Sequence, residues 1–188
     1  VASLIALGFD PGFASFGLGV IEVTSHSMRV LLHETFRTST KDEDHARLDA
    51  IGDRILDAID DFKPQLLAYE NQANVEVGMQ MAREKEGKTS GTTYASRRVH
   101  EVSGAIRCAS RVYELPCYCL ATSTVKVALL GKGAGHAPKA RMKDGVRRML
   151  GIVGCSEHEA DALATAIGGV QAHRRAELML RAAKSLIR

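Results

Sequence analysis

Two short apolar runs each end on a carboxylate, and that pairing limits what the chain can fold into. Leu4-Ile5-Ala6-Leu7-Gly8-Phe9 is closed by Asp10 and then by Pro11-Gly12, and Leu66-Leu67-Ala68-Tyr69 is closed by Glu70. Runs this short and this uniformly apolar read as strands covered on both faces, because a helix needs more length and a polar stripe. An acid at the end of a buried strand is costly to desolvate and usually faces something positive. A third element, His158-Glu159-Ala160-Asp161, places an imidazole and a carboxylate three residues apart at the start of an expected helix. Oxygen-rich sets of this kind suit hard divalent cations such as magnesium or manganese.

Between these anchors the pattern alternates in type. Phe16–Val23 and Met28–Phe36 read as two strands joined by the polar turn Thr24-Ser25-His26-Ser27. Thr40-Lys41-Asp42-Glu43 has the spacing of a capping box and predicts a helix start, with Leu48, Ile51, Ile55, Ile59 and Phe62 in helical period before Pro64. Residues 71–93 have no sustained period and read as a long loop, with some helix near Val75–Met81. A helix over Tyr94–Glu114 follows, with Val99, Val102, Ile106, Ala109 and Val112 assigned to one face. Cys117–Leu120 reads as a fifth strand, Thr122–Leu130 as a short helix and Gly131–Gly135 as a turn. Pro138 opens a helix to Leu150, and Ser156-x-x-Glu159 caps a last helix running to Leu186. Three strands joined by hairpins, then strands reached through helices, predict an α/β fold with a five-stranded mixed sheet: three antiparallel strands, then two parallel, helices on both faces. The 188 residues fit a single domain, with residues 174–188 as a basic helical extension.

Charge narrows the function classes. Residues 1–82 hold 6 Lys/Arg against 13 Asp/Glu, whereas residues 83–148 hold 14 against 5 and residues 149–188 hold 5 against 4. An acidic half beside a basic segment fits a nucleic-acid partner, with a solvated lysine-rich surface as the plainer alternative. No apolar stretch approaches the roughly 20 residues of a membrane span, and the first apolar run lacks the basic flank of a signal peptide. The four cysteines match no zinc spacing and read as free, buried thiols of a reducing, cytoplasmic setting. Gly87-Lys88-Thr89 resembles the end of a phosphate loop, but Ala82 stands where that loop needs glycine. Gly131–Gly135 lies between expected helices and not after a strand, so neither segment predicts a nucleotide cofactor.

The chemistry that fits the acids is phosphodiester hydrolysis, which needs an activated water and neutralisation of the leaving oxygen; a pair of divalent ions does both. Helical residues three apart share a face, so His158 and Asp161 can address one site. The imidazole could ligate a metal or handle a proton. Singly, each residue has a plainer reading: Asp10 as a turn starter, Glu70 as an edge charge, and Glu157 and Glu159 as capping and helix-dipole residues.

Taken together, Gly8-Phe9-Asp10-Pro11-Gly12 with Gly17-Leu18-Gly19, Tyr69-Glu70-Asn71-Gln72, and His158-Glu159-Ala160-Asp161-Ala162-Leu163-Ala164 resemble the RuvC-type Holliday junction resolvases, nucleases of the RNase H-like fold. The resemblance spans roughly residues 3–173. It implies a crossover junction endodeoxyribonuclease of recombination and repair that cuts opposed strands of a four-way DNA junction. Asp10, Glu70, His158 and Asp161 would be the catalytic, metal-holding set for two magnesium ions, with manganese able to substitute. It further implies a homodimer through the helix around Val99–Val112, and leaves open whether branch-migration machinery takes part. Lys126 and Lys139 fall where the family places DNA-contacting lysines. Lys132, Arg141, Arg83, Lys85 and Lys88 join them as DNA-binding candidates from the same basic segment. Ala73 departs from the family, which often has an aromatic residue there that helps unstack the junction; Tyr94 or the charged loop would have to take that part. Alternatives are cleavage of other branched DNA or RNA–DNA hybrids, a non-cleaving junction-binding module, and an actin-like phosphotransferase, for which the chain leaves little room.

Overall fold

The structure, a computed structural model, describes residues 3–71 and 94–186. Strand β1 (Leu4–Asp10) pairs antiparallel with β2 (Ser15–Val23), which pairs antiparallel with β3 (Met28–Arg37). Helix α1 (Asp44–Phe62) then returns the chain to β4 (Leu66–Asn71), parallel to β1, and α2 (Tyr94–Val112) leads to β5 (Cys117–Ala121), parallel to β4. The sheet order is β3-β2-β1-β4-β5. Helices α3 (Thr122–Leu130), α4 (Ala140–Leu150) and α5 (Glu157–Leu186) complete the chain, with a 3₁₀ turn at Ala134–His136. This is the mixed sheet expected from the hairpin-then-crossover pattern, and it is the RNase H-like fold.

Strand alternation divides the interior into two cores. Leu7, Phe9, Phe16, Leu18, Val20, Leu67 and Tyr69 face α1 and α2, where Ile51, Ile55, Ile59, Val102 and Ile106 meet them. Ala6, Ile21, Leu66 and Ala68 face the other way, against Leu163, Ala166 and Ile167 of α5 and Val125 and Leu129 of α3. Each large side chain so buried contributes about 1.5–3 kcal/mol. Central strands therefore lack the polar alternation of an exposed sheet, and their charged residues, Asp10, Glu22 and Glu70, stand within two residues of a strand end.

Three expectations need correction. Thr40–Glu43 forms no capping box: the turn is made by Ser39, whose carbonyl accepts from Asp42 N–H (3.2 Å) and whose hydroxyl accepts from Lys41 N–H (3.1 Å), and α1 starts at Asp44 with no side-chain cap. Its first turn is fixed instead by buried Arg47, which donates to Thr38 (3.0 Å) and lies over the Phe13 ring at 4.2 Å. Val112 is not on the packed face of α2: Val102, Ile106 and Ala109 are buried, but Val112 is 76% exposed. Successive steps of three residues fall behind the helical turn by about 60° each, so the stripe has rotated off the sheet there. Nor are the thiols all buried. Cys155 is, whereas Cys108, on the outer side of α2, and Cys119, on the edge strand β5, are exposed and Cys117 is half-buried. All four are free, as expected. No helix among the described residues is long and apolar enough to cross a membrane.

Candidate active site

Register brings the two strand-end acids together. In the parallel pair β1–β4, Phe9 stands opposite Tyr69, so Asp10 and Glu70 are each the next residue at the same end of adjacent strands. Both follow the face of Ala6 and Ala68, the face covered by α5. The first turns of α5 reach that end because the strands beneath are glycines. A Cβ at Gly17 would stand 2.3 Å from the His158 carbonyl oxygen, and one at Gly8 would stand 2.1 Å from that of Ala162. No side chain fits at either place, so the sequence Gly8-x-Asp10 with Gly17-x-Gly19 is what seats His158 and Asp161 beside Asp10. Ser156 and Glu159 cap the helix reciprocally, Glu159 N–H donating to the Ser156 hydroxyl (3.1 Å) and Ser156 N–H to the Glu159 carboxylate (3.3 Å). That capping role is the one expected of Glu159.

Each of the three acids has a partner. His158 Nδ1 lies 2.6 Å from Asp10 Oδ2, Thr122 at the start of α3 donates its hydroxyl to Glu70, and Lys139 Nζ sits 3.6 Å from Asp161 Oδ2. Burial pushes the Glu70 carboxyl above the usual carboxylate range against the pull of the Thr122 hydrogen bond, and the charges of Asp161 and Asp10 push it further. Burial likewise raises Asp161, helped by Asp10 and opposed by Lys139 and His158. The Asp161 charge holds Lys139 above the ordinary lysine value, and the hydrogen bond to Asp10 holds His158 above the ordinary histidine value. Three mutually repelling acids with a lysine and a histidine turned toward them have the chemistry of a site for a small, hard cation. As they stand they form no ligand shell: among the described residues no three His, Cys, Asp or Glu side chains are grouped closely enough to hold a metal ion.

Of the DNA-binding candidates, Lys139 is at the site although its side chain is 73% exposed. Lys132 is exposed in the turn between α3 and α4, Arg141 is exposed in the first turn of α4, and Lys126 is half-buried on α3. Arg83, Lys85, Lys88, Ala73 and the short helix expected near Val75–Met81 lie outside the described residues, and of Tyr94 only the backbone is described. Sequence reasoning missed Thr122, which carries no signal beyond following a strand. It also missed the network that ties Glu159 to β3: His33 Nδ1 at 2.7 Å from Oε2 and the Thr35 hydroxyl donating to Oε1 at 3.1 Å. Alternation on β3 puts His33 and Thr35 on one face, but only the register reveals what they meet.

A mixed RNase H-like sheet with two acids at its strand ends, and a histidine and an aspartate of the last helix beside them, points to the class of nucleases built on that fold. The family model for the crossover junction endodeoxyribonuclease RuvC matches residues 6–169, and the chain belongs to that family. The RuvC of Thermus thermophilus is 30% identical over 169 residues, covering 87% of this chain and 92% of the relative. That of Thermotoga maritima is 29% identical over 168 residues, covering 88% and 90%. The solved Thermus thermophilus RuvC structure superposes with a TM-score of 0.74 at 28% identity, over 92% of this chain and 97% of that one. A second, of Thermus thermophilus RuvC in complex with a Holliday junction substrate, has a TM-score of 0.70 at 30% identity, over 88% and 92%.

Proposed function

We propose that this crossover junction endodeoxyribonuclease resolves four-way DNA junctions by paired hydrolysis of opposed strands, with Asp10, Glu70, His158 and Asp161 as its metal-holding site. The observation that supports this reading is that β1, β4 and α5 carry all four to the same end of the sheet, with the carboxyls of Glu70 and Asp161 raised by burial and by their neighbours' charge. This donor set fits magnesium, with manganese able to replace it. When bound, a pair of such ions supplies an activated water and neutralises charge at the leaving oxygen.

The chain's own part is binding and orientation. Asp10, on a central strand, is held more rigidly than a loop residue would be, which suits it to the middle of the site. Thr122 restrains Glu70 through its hydroxyl. The hydrogen bond to Asp10 fixes the His158 ring and lets it keep a proton on Nδ1 until a cation competes for Asp10. Lys139, Lys126, Lys132 and Arg141 meet phosphates, with the salt sensitivity that counterion release gives such contacts. A homodimer through the outer face of α2, where Arg107, Arg111 and Val112 are exposed, would present two such sites to opposed strands.

The test is cleavage-site mapping on synthetic mobile and immobile junctions, with duplex, flap and RNA–DNA hybrid controls. Symmetric, magnesium-dependent nicks on the junction alone are expected, lost in Asp10→Asn while junction binding persists. Equal cleavage by that variant overturns the site. Failure to cut any branched DNA with magnesium or manganese makes the chain a binding module.

A further inference from the structure

We infer that Glu159 is a positioning residue for the metal site: clamped to β3, it sets the rotation of α5 that turns His158 and Asp161 toward Asp10. The inference rests on the proposed metal site and goes beyond the helix cap. A capping glutamate needs only one oxygen for the N–H of the cap residue. Here both are used: Oε2 meets His33 Nδ1 at 2.7 Å as well as Ser156 N–H, and Oε1 accepts from the Thr35 hydroxyl at 3.1 Å. The Thr35 and Ser156 hydroxyls close the network at 2.7 Å.

The place of the clamp gives it this function. Thr35 pairs with Gly17 and Gly17 with Asp10, so one row across three strands runs from the clamp, through the glycine beneath the His158 carbonyl, to the central acid. Backbone contact at Gly17 fixes how close α5 sits but not how it is rolled. Residues advance about 100° around a helix, so Glu159 lies about 100° from His158 and about 160° from Asp161. Holding the Glu159 flank on β3 therefore aims the other two at β1 and β4. Without it, a small roll would swing both out of reach while leaving the buried face of Leu163 and Ile167 seated.

The test uses the full chain and Mn²⁺ alone as probe, titrated by electron paramagnetic resonance of the free ion, beside kcat and KM on a synthetic junction. Glu159→Ala, and separately the double variant His33→Leu with Thr35→Val, should weaken Mn²⁺ binding about tenfold to a hundredfold, the usual scale for groups that orient ligands. The kcat should fall in parallel with KM for the junction little changed. Glu159→Gln should restore most of the loss, since the amide oxygen can take the place of Oε2 at His33 and Ser156 N–H while the amide N–H donates to the Thr35 hydroxyl. The double variant leaves the Ser156–Glu159 cap intact and removes only the hold on the sheet, and it serves if Glu159→Ala does not fold. Wild-type Mn²⁺ affinity in the double variant overturns the inference, whatever the melting temperature does. Asp161→Asn is the control: if it loses Mn²⁺ while the double variant does not, the clamp fails alone. If Asp161→Asn binds Mn²⁺ as wild type does, the metal-site reading fails and takes the clamp with it.

Discussion

Along α5, every residue from Ala160 to Val170 except Asp161 is buried, whereas Arg174–Leu186 are all exposed, although both stretches are rich in alanine and other apolar residues. Charge already leans the same way, with Asp161 alone in the first stretch against five charged residues in the second, but the surface underneath is what seats the helix. The first stretch lies on Gly8 and Gly19 and on Ala68, with Gly17 under His158 just before it, and its own Gly168 and Gly169 admit Leu120 and Ala68 on further sides. The second has no such seat and leaves Leu178, Met179, Leu180 and Leu186 between 58% and 86% exposed. The match to the family model ends at residue 169, close to where burial ends. The half that carries the candidate site is thus the half whose position is forced, and substitutions should divide along the same line.

The largest effect belongs to the seated half. Asp161→Asn should cut junction cleavage by at least about 10²–10³-fold, the scale of losing one preorganised electrostatic contact to the transition state. In metal-free buffer the same variant should melt higher than wild type, because it removes a buried carboxylate beside Asp10. Cleavage assays and thermal melts with and without chelator check both. A lower metal-free Tm would mean that Asp161 supports the fold and not the site.

Gly17→Ala comes next. Its Cβ would stand 2.3 Å from the His158 carbonyl oxygen, so the helix must lift or the strand must bend. Overpacking of this kind costs about 1–3 kcal/mol, read as a lower urea midpoint with unchanged m-value. Cleavage should fall more than stability predicts, since the displaced residue is at the site. An unchanged midpoint would show that α5 is not seated as described.

How much of this was legible in the sequence follows the same division. The strands announced themselves, because a central strand must be apolar throughout and the two acids could only be its ends. The glycines at 8, 17 and 19 were readable as part of a motif, but their physical reason, an approach of α5 that leaves no room for a methyl group, needs the packed helix. The clamp of Glu159 on His33 and Thr35 spans 124 to 126 residues of sequence separation, and no local pattern encodes such a meeting. The Thr40–Glu43 box failed for the converse reason: a local signal lost to the tertiary hold on Arg47.

A pH effect of intermediate size should confine itself to the seated half. His158 is raised above its ordinary 6.5, and Glu70 and Asp161 above 4.5 and 3.8. The folded chain therefore binds these protons more tightly than the unfolded chain. For His158 the stabilisation is full below pH 6.5 and is lost as pH rises through the raised value. The Tm advantage of metal-free wild type over His158→Gln should thus shrink as pH rises above 6.5. Protons also compete with cations, so the magnesium concentration for half-maximal cleavage should fall over the same rise. A magnesium requirement flat across that window would remove His158 from the site.

The smallest effect is expected in the exposed half, and it is the sharpest check on the contrast. Leu180→Gln should change stability by no more than about 0.5 kcal/mol, as for surface positions generally. Ile167→Ala, on the same helix but 2% exposed, should cost about 2–5 kcal/mol. The comparison is informative because Ala176, Met179, Leu180, Ala183 and Leu186 recur at helical spacing, with Arg174, Glu177, Arg181 and Lys184 on the other side. A stripe of that kind that stays wetted gives a small loss at any protein concentration. If Leu180→Gln instead costs more than about 1 kcal/mol, and the Tm gap between it and wild type widens with protein concentration, mass action assigns the stripe a second copy of the chain. In that event the line between the two halves of α5 would mark a seat within one chain against a seat between two.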